Sequence, residues 1–411
     1  MSSVWGLAAQ PAPKKPAADR SRLGASRLCV FALNLLTVAV PSAIHAQQPL
    51  DDPPGRWQLE TLTLKDQSQI RGLIQSQTNA EIDFAQVIQP PGKPMYAVIR
   101  GIPLVESLPA VYLMEEMLYA LGPYAAGLNA ARWDLKASIF EFIMADPKSV
   151  WPDRFGVDIK TTPFLANIFR RLVAICLKRG AVPIGGMATA LPSNDPEVNR
   201  AAGESIRADK EWEAQQGFIR AWVAHIFHMK TAGDPFKRLI LSGWNPSPEM
   251  ANPDTYPVRI AVPAGPVTVE GTRRNARMVI EYVEGWLGGR GAKGIDSLAG
   301  KPGVHPALME DLATGRMSVA QIAQRIRHHA KDSTDPSQVH DFPMVKRLLK
   351  EEVQDILYLS LRKDVETGVR YRKAVKIAMR WIKNYTELDF RSLGSYTHAD
   401  LEHIANAPDA F

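Results

Sequence analysis

The hydrophobic pattern near the start of the chain predicts a small β-rich region. Between Trp57 and Ile88, short segments that partly alternate apolar and polar residues are separated by turn-forming residues such as Asp66. Alternation of this kind is typical of half-buried strands. Residues 90–94 (PPGKP) then interrupt any regular element. We therefore predict a separate β-rich module over residues 57–95.

Short apolar runs alternate with helical patterns in the central part of the chain. Strand-like runs occupy residues 96–105, 181–184 and 222–225, and helical patterns occupy residues 112–121, 168–177 and 274–287. This alternation is typical of parallel strands that are connected by helices. It predicts an α/β domain over residues 96–314.

Beyond residue 314 the pattern becomes helical throughout. Apolar residues recur at helical spacing in separate amphipathic stripes. The stripes consist of Val319, Ile322 and Ile326, then Val345, Leu348, Leu349, Val353 and Ile356, and then Val375, Ala378, Met379 and Ile382. We predict a helical C-terminal domain over residues 315–411.

The first 46 residues have the order of a signal peptide. Basic residues precede an apolar run at residues 28–40, and the small-residue segment AIHA at 43–46 fits a cleavage site before Gln47. The run is too short to span a membrane, and no other stretch is long and apolar enough. This pattern favours export. The alternative is a poorly ordered tail that results from an upstream start assigned in error.

Composition places the chain among globular proteins and selects no macromolecular partner. Of 411 residues, 45% are hydrophobic and 22% are charged. The chain contains 49 Lys and Arg and 43 Asp and Glu residues. The small positive excess is spread thinly. The C-terminal helices are basic but carry interleaved acids and no aromatic stacking platform, which argues against nucleic-acid binding. Cys29 and Cys176 are too isolated for a disulfide framework or a cysteine-based zinc site.

Three acidic residues are candidates for chemistry because each follows an apolar, strand-like run. They are Glu106, Asp134 and Asp311. In a barrel of parallel strands, the active site is assembled at the strand ends. Two carboxylates suit Mg²⁺, which takes one or two protein carboxylates together with water and substrate oxygens, and a third carboxylate could act as a base. The alternative interpretation is that such acids cap helices or face solvent.

An ordered set of motifs resembles the malate synthase family. The segments 106–118 (ESLPAVYLMEEML) and 126–134 (AGLNAARWD) resemble its signature region. Further similar segments follow in the same order: PDR at 152–154, TTPF at 161–164, KRG at 178–180, IGGMA at 184–188, DPEVN at 195–199, RADKE at 207–211, WVAH at 222–225 and LMEDLAT at 308–314. The resemblance is continuous over about residues 100–330 and looser in the helical tail.

This resemblance implies a TIM-type (β/α) barrel with a C-terminal helical domain. The implied reaction is the Mg²⁺-dependent condensation of acetyl-CoA with glyoxylate, which gives malate and CoA and belongs to the glyoxylate and tricarboxylic acid cycles. Residue by residue, the implied roles are as follows: Glu106 and Asp134 bind Mg²⁺, Asp311 is the general base, the backbone around Arg132 and Trp133 binds glyoxylate, and Met187 lies near the coenzyme. Core packing is an equal alternative for Trp133, and gap filling for Met187.

The sequence departs from the family pattern at its N-terminal end. The family's Arg-Pro-Arg-Gly-Trp-His run, whose arginine stabilises the enolate, has no match in residues 1–95. We therefore expect a barrel that lacks N-terminal strands, whose open edges a partner or a second copy covers. Two alternatives remain open: an impaired fragment that acts as a scaffold, and a lyase for malyl- or citramalyl-type thioesters. Chemistry with acetyl-CoA predicts a cytoplasmic protein, and export is the alternative.

Overall fold

The computed structural model describes residues 60–63, 69–77, 82–86, 100–298, 305–359, 365–391 and 393–407. The chain divides into two units, residues 1–98 and residues 99–411. The predicted signal-like segment at residues 1–46 lies outside the described residues. No helix among the described residues is both long enough and apolar enough to cross a membrane.

The first unit contains an antiparallel sheet. Its strands are β1 (Glu60–Thr63), β2 (Gln69–Gln77) and β3 (Ile82–Gln86), which pair in the order β1-β2-β3. The register of β2 with β3 shifts between Ile74 and Ser76. These strands confirm the prediction of a β-rich N-terminal module.

The second unit begins with a parallel sheet. Its strands are β4 (Leu104–Val105), β5 (Gly127–Ala130), β6 (Val182–Ala188) and β7 (Arg220–Val223), paired in that order. The connecting helices are α1 (Leu108–Tyr112), α2 (Met114–Leu121), α3 (Trp133–Ile143), α4 (Pro163–Arg179) and α5 (Pro196–Gln215), and α6 (Met229–Leu241) follows β7. Strands and helices thus alternate as the sequence predicts.

Apolar packing of helices against this sheet forms the core. Every residue of β5 is buried, and α4, which contacts β5, contains buried side chains such as Leu172 and Val173. Pro163 starts α4, and Gly180 ends it in a left-handed conformation with φ of 66°. These residues suit a helix start and a helix end, because proline needs no N–H there and glycine has no Cβ to clash. These two residues therefore define where the helix that packs against β5 begins and ends.

A short antiparallel hairpin precedes the last candidate residue. Its strands are β8 (Lys293–Ile295) and β9 (Leu308–Glu310). The hairpin lies beside the end of β6, because Met309 N donates to Thr189 O at 2.7 Å and Leu191 N donates to Ala307 O at 2.8 Å. The sequence suggested a parallel strand before Asp311, whereas β9 runs antiparallel to both neighbours. A run of three residues carries no pattern from which strand direction could be inferred.

The remaining elements in the described part of the second unit are helical, which agrees with the prediction for residues beyond 314. The helices are α7 (Val269–Leu287), α8 (Leu312–Arg327), α9 (Phe342–Leu359), α10 (Val365–Thr386) and α11 (His398–Asn406). Helix α8 packs against α3 of the α/β region and against α7 and α10. This arrangement places the start of α8 beside the ends of the parallel strands.

Buried polar contacts fix α8 to the loop that follows α3. Gln324 Oε1 accepts from Trp151 N at 3.0 Å, and Gln321 Oε1 accepts from Arg154 N at 3.1 Å. The fully buried Arg325 donates to Asp153 Oδ1 at 2.7 Å. Polar groups that are buried need such partners, so these bonds hold α8 in one register. The position of Asp311 at its start is fixed with it.

Candidate active site

Two of the predicted acids, Glu106 and Asp311, lie close enough to Asp134 to act on its ionisation. Glu106 directly follows β4, Asp134 is the second residue of α3, and Asp311 directly follows β9. The pKa of Asp134 is raised to about 6, first by burial and then by the negative charges of Glu106 and Asp311. Like charges disfavour ionisation only at short range. The structure therefore brings the three residues into one cluster.

Local helix geometry orients two of these carboxylates. Asp134 lies in the first turn of α3, where the helix dipole favours negative charge. Asp311 is the N-cap of α8: its Oδ1 accepts from Ala313 N at 3.1 Å, and Thr314 completes a capping box. Asp311 thus also has the capping role that the sequence left open as an alternative. The hydrogen bond from Ala313 N holds the carboxylate in place through Oδ1, and it leaves Oδ2 free of this contact.

A cation borders this acidic cluster. Arg316 of α8 places its Nη1 atom 3.9 Å from Asp134 Oδ1. Its Nε atom donates to Glu141 Oε1 at 2.7 Å, and the hydroxyl of Tyr385 donates to the same oxygen at 2.8 Å. Sequence analysis did not single out Arg316, because its relation to Asp134 depends on how α8 packs on α3.

Arg132 and Trp133 have structural contacts through their side chains. Arg132 forms ion pairs with Asp209, at 2.8 Å, and with the buried Glu213. Trp133 is half-buried, and Nζ of the buried Lys136 lies 4.7 Å from its ring centroid. The side chain of Arg132 is thus committed to ion pairs within the protein, and that of Trp133 packs against Lys136.

The Arg132 ion pairs belong to a buried charged network beneath β6. Lys210 donates to Gly186 O at 2.6 Å and to Glu213 Oε2 at 3.0 Å, while Gly186 N donates to Glu213 Oε1 at 2.9 Å. A Cβ atom on Gly185 would lie 2.1 Å from Glu213 Oε2, and one on Gly186 would lie 2.4 Å from Arg132 Nε. The two glycines thus leave the space that this network occupies.

Met187 follows these glycines on β6. It is half-buried and pairs in register with the exposed Trp222 of β7.

A second charged group, missed by sequence analysis, lies beside Asp311. Glu310 is buried, and burial raises its pKa against the opposing effect of Arg154. Arg154 and Arg274 stack on Phe155, with guanidinium carbons 3.9 and 3.7 Å from the ring centroid. The Nη2 atom of Arg154 is buried without a hydrogen-bond partner among the described residues. The PDR motif was the one signal in the sequence that pointed to this arginine.

The donor set of the acidic cluster fits a magnesium ion. No group of three or more His, Cys, Asp or Glu side chains within the described ranges could enclose a metal. Magnesium does not need such a cage, because it binds through one or two carboxylates and keeps its waters. Glu106 is exposed and Asp134 is partly exposed, so both can reach a hydrated ion. Their mutual repulsion would be relieved by a cation.

Comparisons with known proteins point to one family. The model of the malate synthase TIM barrel domain matches residues 95–254, and that of the malate synthase C-terminal domain matches residues 266–399. A malate synthase from Streptomyces clavuligerus is 41% identical over 236 residues, which are 56% of this chain and 41% of the relative. Malate synthase A from Escherichia coli (strain K12) is 33% identical over 301 residues, 72% of this chain and 54% of the relative.

A plant relative is similar at greater length. The glyoxysomal malate synthase from Gossypium hirsutum is 31% identical over 312 residues, which are 74% of this chain and 53% of the relative. The chain spans about half the length of the curated relatives that it matches.

Proposed function

The chain belongs to the malate synthase family, and we propose on this premise that it condenses acetyl-CoA with glyoxylate to give malate and CoA. The observation that carries the proposal is the cluster of Glu106, Asp134 and Asp311, in which burial and the charges of Glu106 and Asp311 raise the pKa of Asp134. One such cluster can supply both a magnesium site and a general base. The proposed reaction uses cytoplasmic acetyl-CoA, so we propose a cytoplasmic location.

Glu106 and Asp134 would hold the magnesium ion. Both present oxygen donors at the ends of neighbouring parallel strands. When bound, the ion would act as a Lewis acid on the glyoxylate aldehyde. The N–H groups of Trp133 and Asp134 at the start of α3 would donate to the glyoxylate carboxylate, since a helix N-terminus favours anions. Met187 would contribute to the coenzyme pocket.

Asp311 would remove a proton from the acetyl methyl group. The C–H bond breaks, the proton moves to the Asp311 carboxylate, and the electron pair moves onto the thioester oxygen. The methyl carbon then attacks the aldehyde carbon of glyoxylate, and the C=O electron pair moves onto the oxygen, which takes up a proton. Water then cleaves the C–S bond of the thioester to give the second carboxylate of malate and the CoA thiol. A carboxylate that held the metal would have its lone pairs occupied, so we assign Asp311 to proton transfer alone.

A lyase reaction on a malyl- or citramalyl-type thioester is the second candidate. The same base and metal ligands would serve carbon–carbon bond cleavage in the reverse direction. A scaffold role remains the alternative without catalysis, since the family's arginine run has no match in residues 1–95.

A direct assay distinguishes these functions. The full chain is incubated with acetyl-CoA, glyoxylate and Mg²⁺, and free thiol is measured with and without a chelator. Thiol release that depends on glyoxylate and Mg²⁺ supports the condensation. Formation of glyoxylate from malyl-CoA, without net condensation, supports the lyase. Absence of both reactions supports the scaffold.

We expect Mg²⁺ to stabilise the chain in a pH-dependent manner. The raised pKa of Asp134, about 6, means that its carboxyl contributes stability below its unfolded pKa and loses it as the pH rises through about 6. Bound Mg²⁺ offsets this loss. The increase in Tm on addition of Mg²⁺ should therefore be large at about pH 8 and should shrink as the pH falls through about 6.

Asp134→Asn is the control for this measurement, because the amide does not titrate. The variant should show a small increase in Tm that is independent of pH. An equal increase in wild type at about pH 5 and about pH 8 would contradict the assignment of Asp134 as a metal ligand.

A further inference from the structure

Arg316 is held in a fixed position at the edge of the acidic cluster. Three elements meet at its guanidinium: Arg316 lies on α8, Glu141 lies on α3, and Tyr385 lies on α10. Nε and Nη2 of Arg316 both donate to the Glu141 carboxylate, and Tyr385 donates to the same group at 2.8 Å. Because Nε and Nη2 both bind Glu141, the third nitrogen, Nη1, lies on the side of Asp134, 3.9 Å from its Oδ1 atom.

The charge of Arg316 is permanent in this environment. Burial disfavours the charge, but the Glu141 carboxylate outweighs burial and raises the pKa of Arg316. Its side chain is 24% exposed, so it borders the open side of the cluster rather than the core. Asp134 therefore has two acids, Glu106 and Asp311, and one guanidinium as charged neighbours that act on its ionisation.

The proposed reaction needs such a cation. A thioester α-proton is far less acidic than a carboxylic acid, so Asp311 can remove it only if the charge that develops on the thioester oxygen is stabilised. An arginine that is oriented before the reaction does this without further reorganisation. Arg316 is a guanidinium that the structure places at the edge of the acidic cluster, with Nη1 3.9 Å from Asp134 Oδ1.

We propose that Arg316 is the residue that stabilises the enolate of the acetyl group, with Nη1 as the donor to the thioester oxygen. The proposal rests on the function proposed above. Arg316 itself exchanges no proton: the C–H bond breaks, Asp311 takes the proton, and the electron pair lies on the oxygen that Arg316 faces.

The position of Arg316 beside Asp134 should weaken metal binding, although it favours enolate formation. A guanidinium beside Asp134 repels a divalent cation bound to that carboxylate. Removal of the charge should therefore slow enolate formation and tighten metal binding at the same time. Structural damage to the site would weaken both, so the two readouts together separate a catalytic role from a structural one.

The test compares Arg316→Gln and Arg316→Lys with Arg327→Gln. Gln removes the charge but can still donate to Glu141, and Lys retains the charge. Arg327 is an exposed arginine of the same helix that donates to Thr386 O at 2.8 Å, so it is a matched control on the same helix pair. The measurements are exchange of the acetyl-CoA methyl protons with solvent deuterium, thiol release with glyoxylate and Mg²⁺, and the affinity for Mn²⁺ by electron paramagnetic resonance.

We expect Arg316→Gln to lose roughly 10²- to 10³-fold in both proton exchange and thiol release, as for other single donors to a developing oxyanion. Its Mn²⁺ affinity should rise by about threefold or more. Arg316→Lys should retain more activity than Arg316→Gln, and Arg327→Gln should match wild type in all three measurements.

Three results would overturn the inference, and they differ from one another. Wild-type thiol release that Arg316→Gln leaves within about threefold overturns the role of Arg316 and leaves the proposed function standing. Absence of thiol release and proton exchange in wild type overturns both. If Arg316→Gln binds Mn²⁺ more weakly and has a lowered Tm, the residue is structural and the inference fails.

Discussion

Asp311→Asn should abolish thiol release and leave the fold intact. The amide keeps the shape of the side chain but cannot accept a proton from carbon, and loss of a general base lowers rates by about 10²- to 10⁴-fold. Asparagine is also a good N-cap, so the hydrogen bond from Ala313 N and the start of α8 are retained. Thiol release with acetyl-CoA and glyoxylate measures the effect, and Mg²⁺ binding should be nearly unchanged.

Asp195→Asn is the matched control for this substitution. Asp195 is the N-cap of α5, and its Oδ1 accepts from Glu197 N at 2.8 Å, as Asp311 accepts from the second residue after it. The control should have wild-type activity and Tm. If Asp311→Asn retains more than about a tenth of the wild-type rate, Asp311 is not the base.

Gly185→Ala should strongly destabilise the α/β region. The new Cβ would lie 2.1 Å from Glu213 Oε2, and Glu213 cannot move away because it binds Arg132, Lys210 and Gly186 N in a buried network. Breaking a buried ion pair usually removes about 3–5 kcal/mol, so we expect a loss of about 3 kcal/mol or more in the free energy of unfolding. Urea denaturation followed by circular dichroism measures it.

Gly203→Ala is the control for this substitution, and we expect it to increase the free energy of unfolding. Gly203 lies inside α5, and its nearest contact for an added Cβ is Thr231 Cγ2 at 3.9 Å. Alanine should stabilise this helix by up to about 1 kcal/mol. A similar loss in both variants would mean that the network beneath β6 is not the reason for the glycine at position 185.

The fold was predictable where the pattern is local and repeated. The alternation that forms α4, β6 and β7 depends on the pattern of apolar residues, which a sequence displays directly. The hairpin of β8 and β9 was not predictable, because the partners of Leu308–Glu310 are set by tertiary contacts. The antiparallel direction of β9 follows from those contacts alone.

The candidate site could be predicted for its acids but not for its cations. Glu106, Asp134 and Asp311 follow strand-like runs in motifs that resemble a family, so position and motif agree. Arg316 and Arg154 act across the packing of α8 on the α/β region, and no local signal marks which of many arginines do so. Side-chain chemistry that depends on helix packing requires the structure.

The packing of α8 on α3 has a consequence for inhibition. The proposed metal ligands Glu106 and Asp134 precede residue 254, and Asp311 and Arg316 follow residue 266, so each family model covers half of the proposed chemistry. The proposed metal ligands and the proposed base can act together only while α3 and α8 remain in contact. A small molecule bound between these two helices would separate the proposed base from the proposed metal ligands, and it would inhibit the proposed reaction without resembling either proposed substrate.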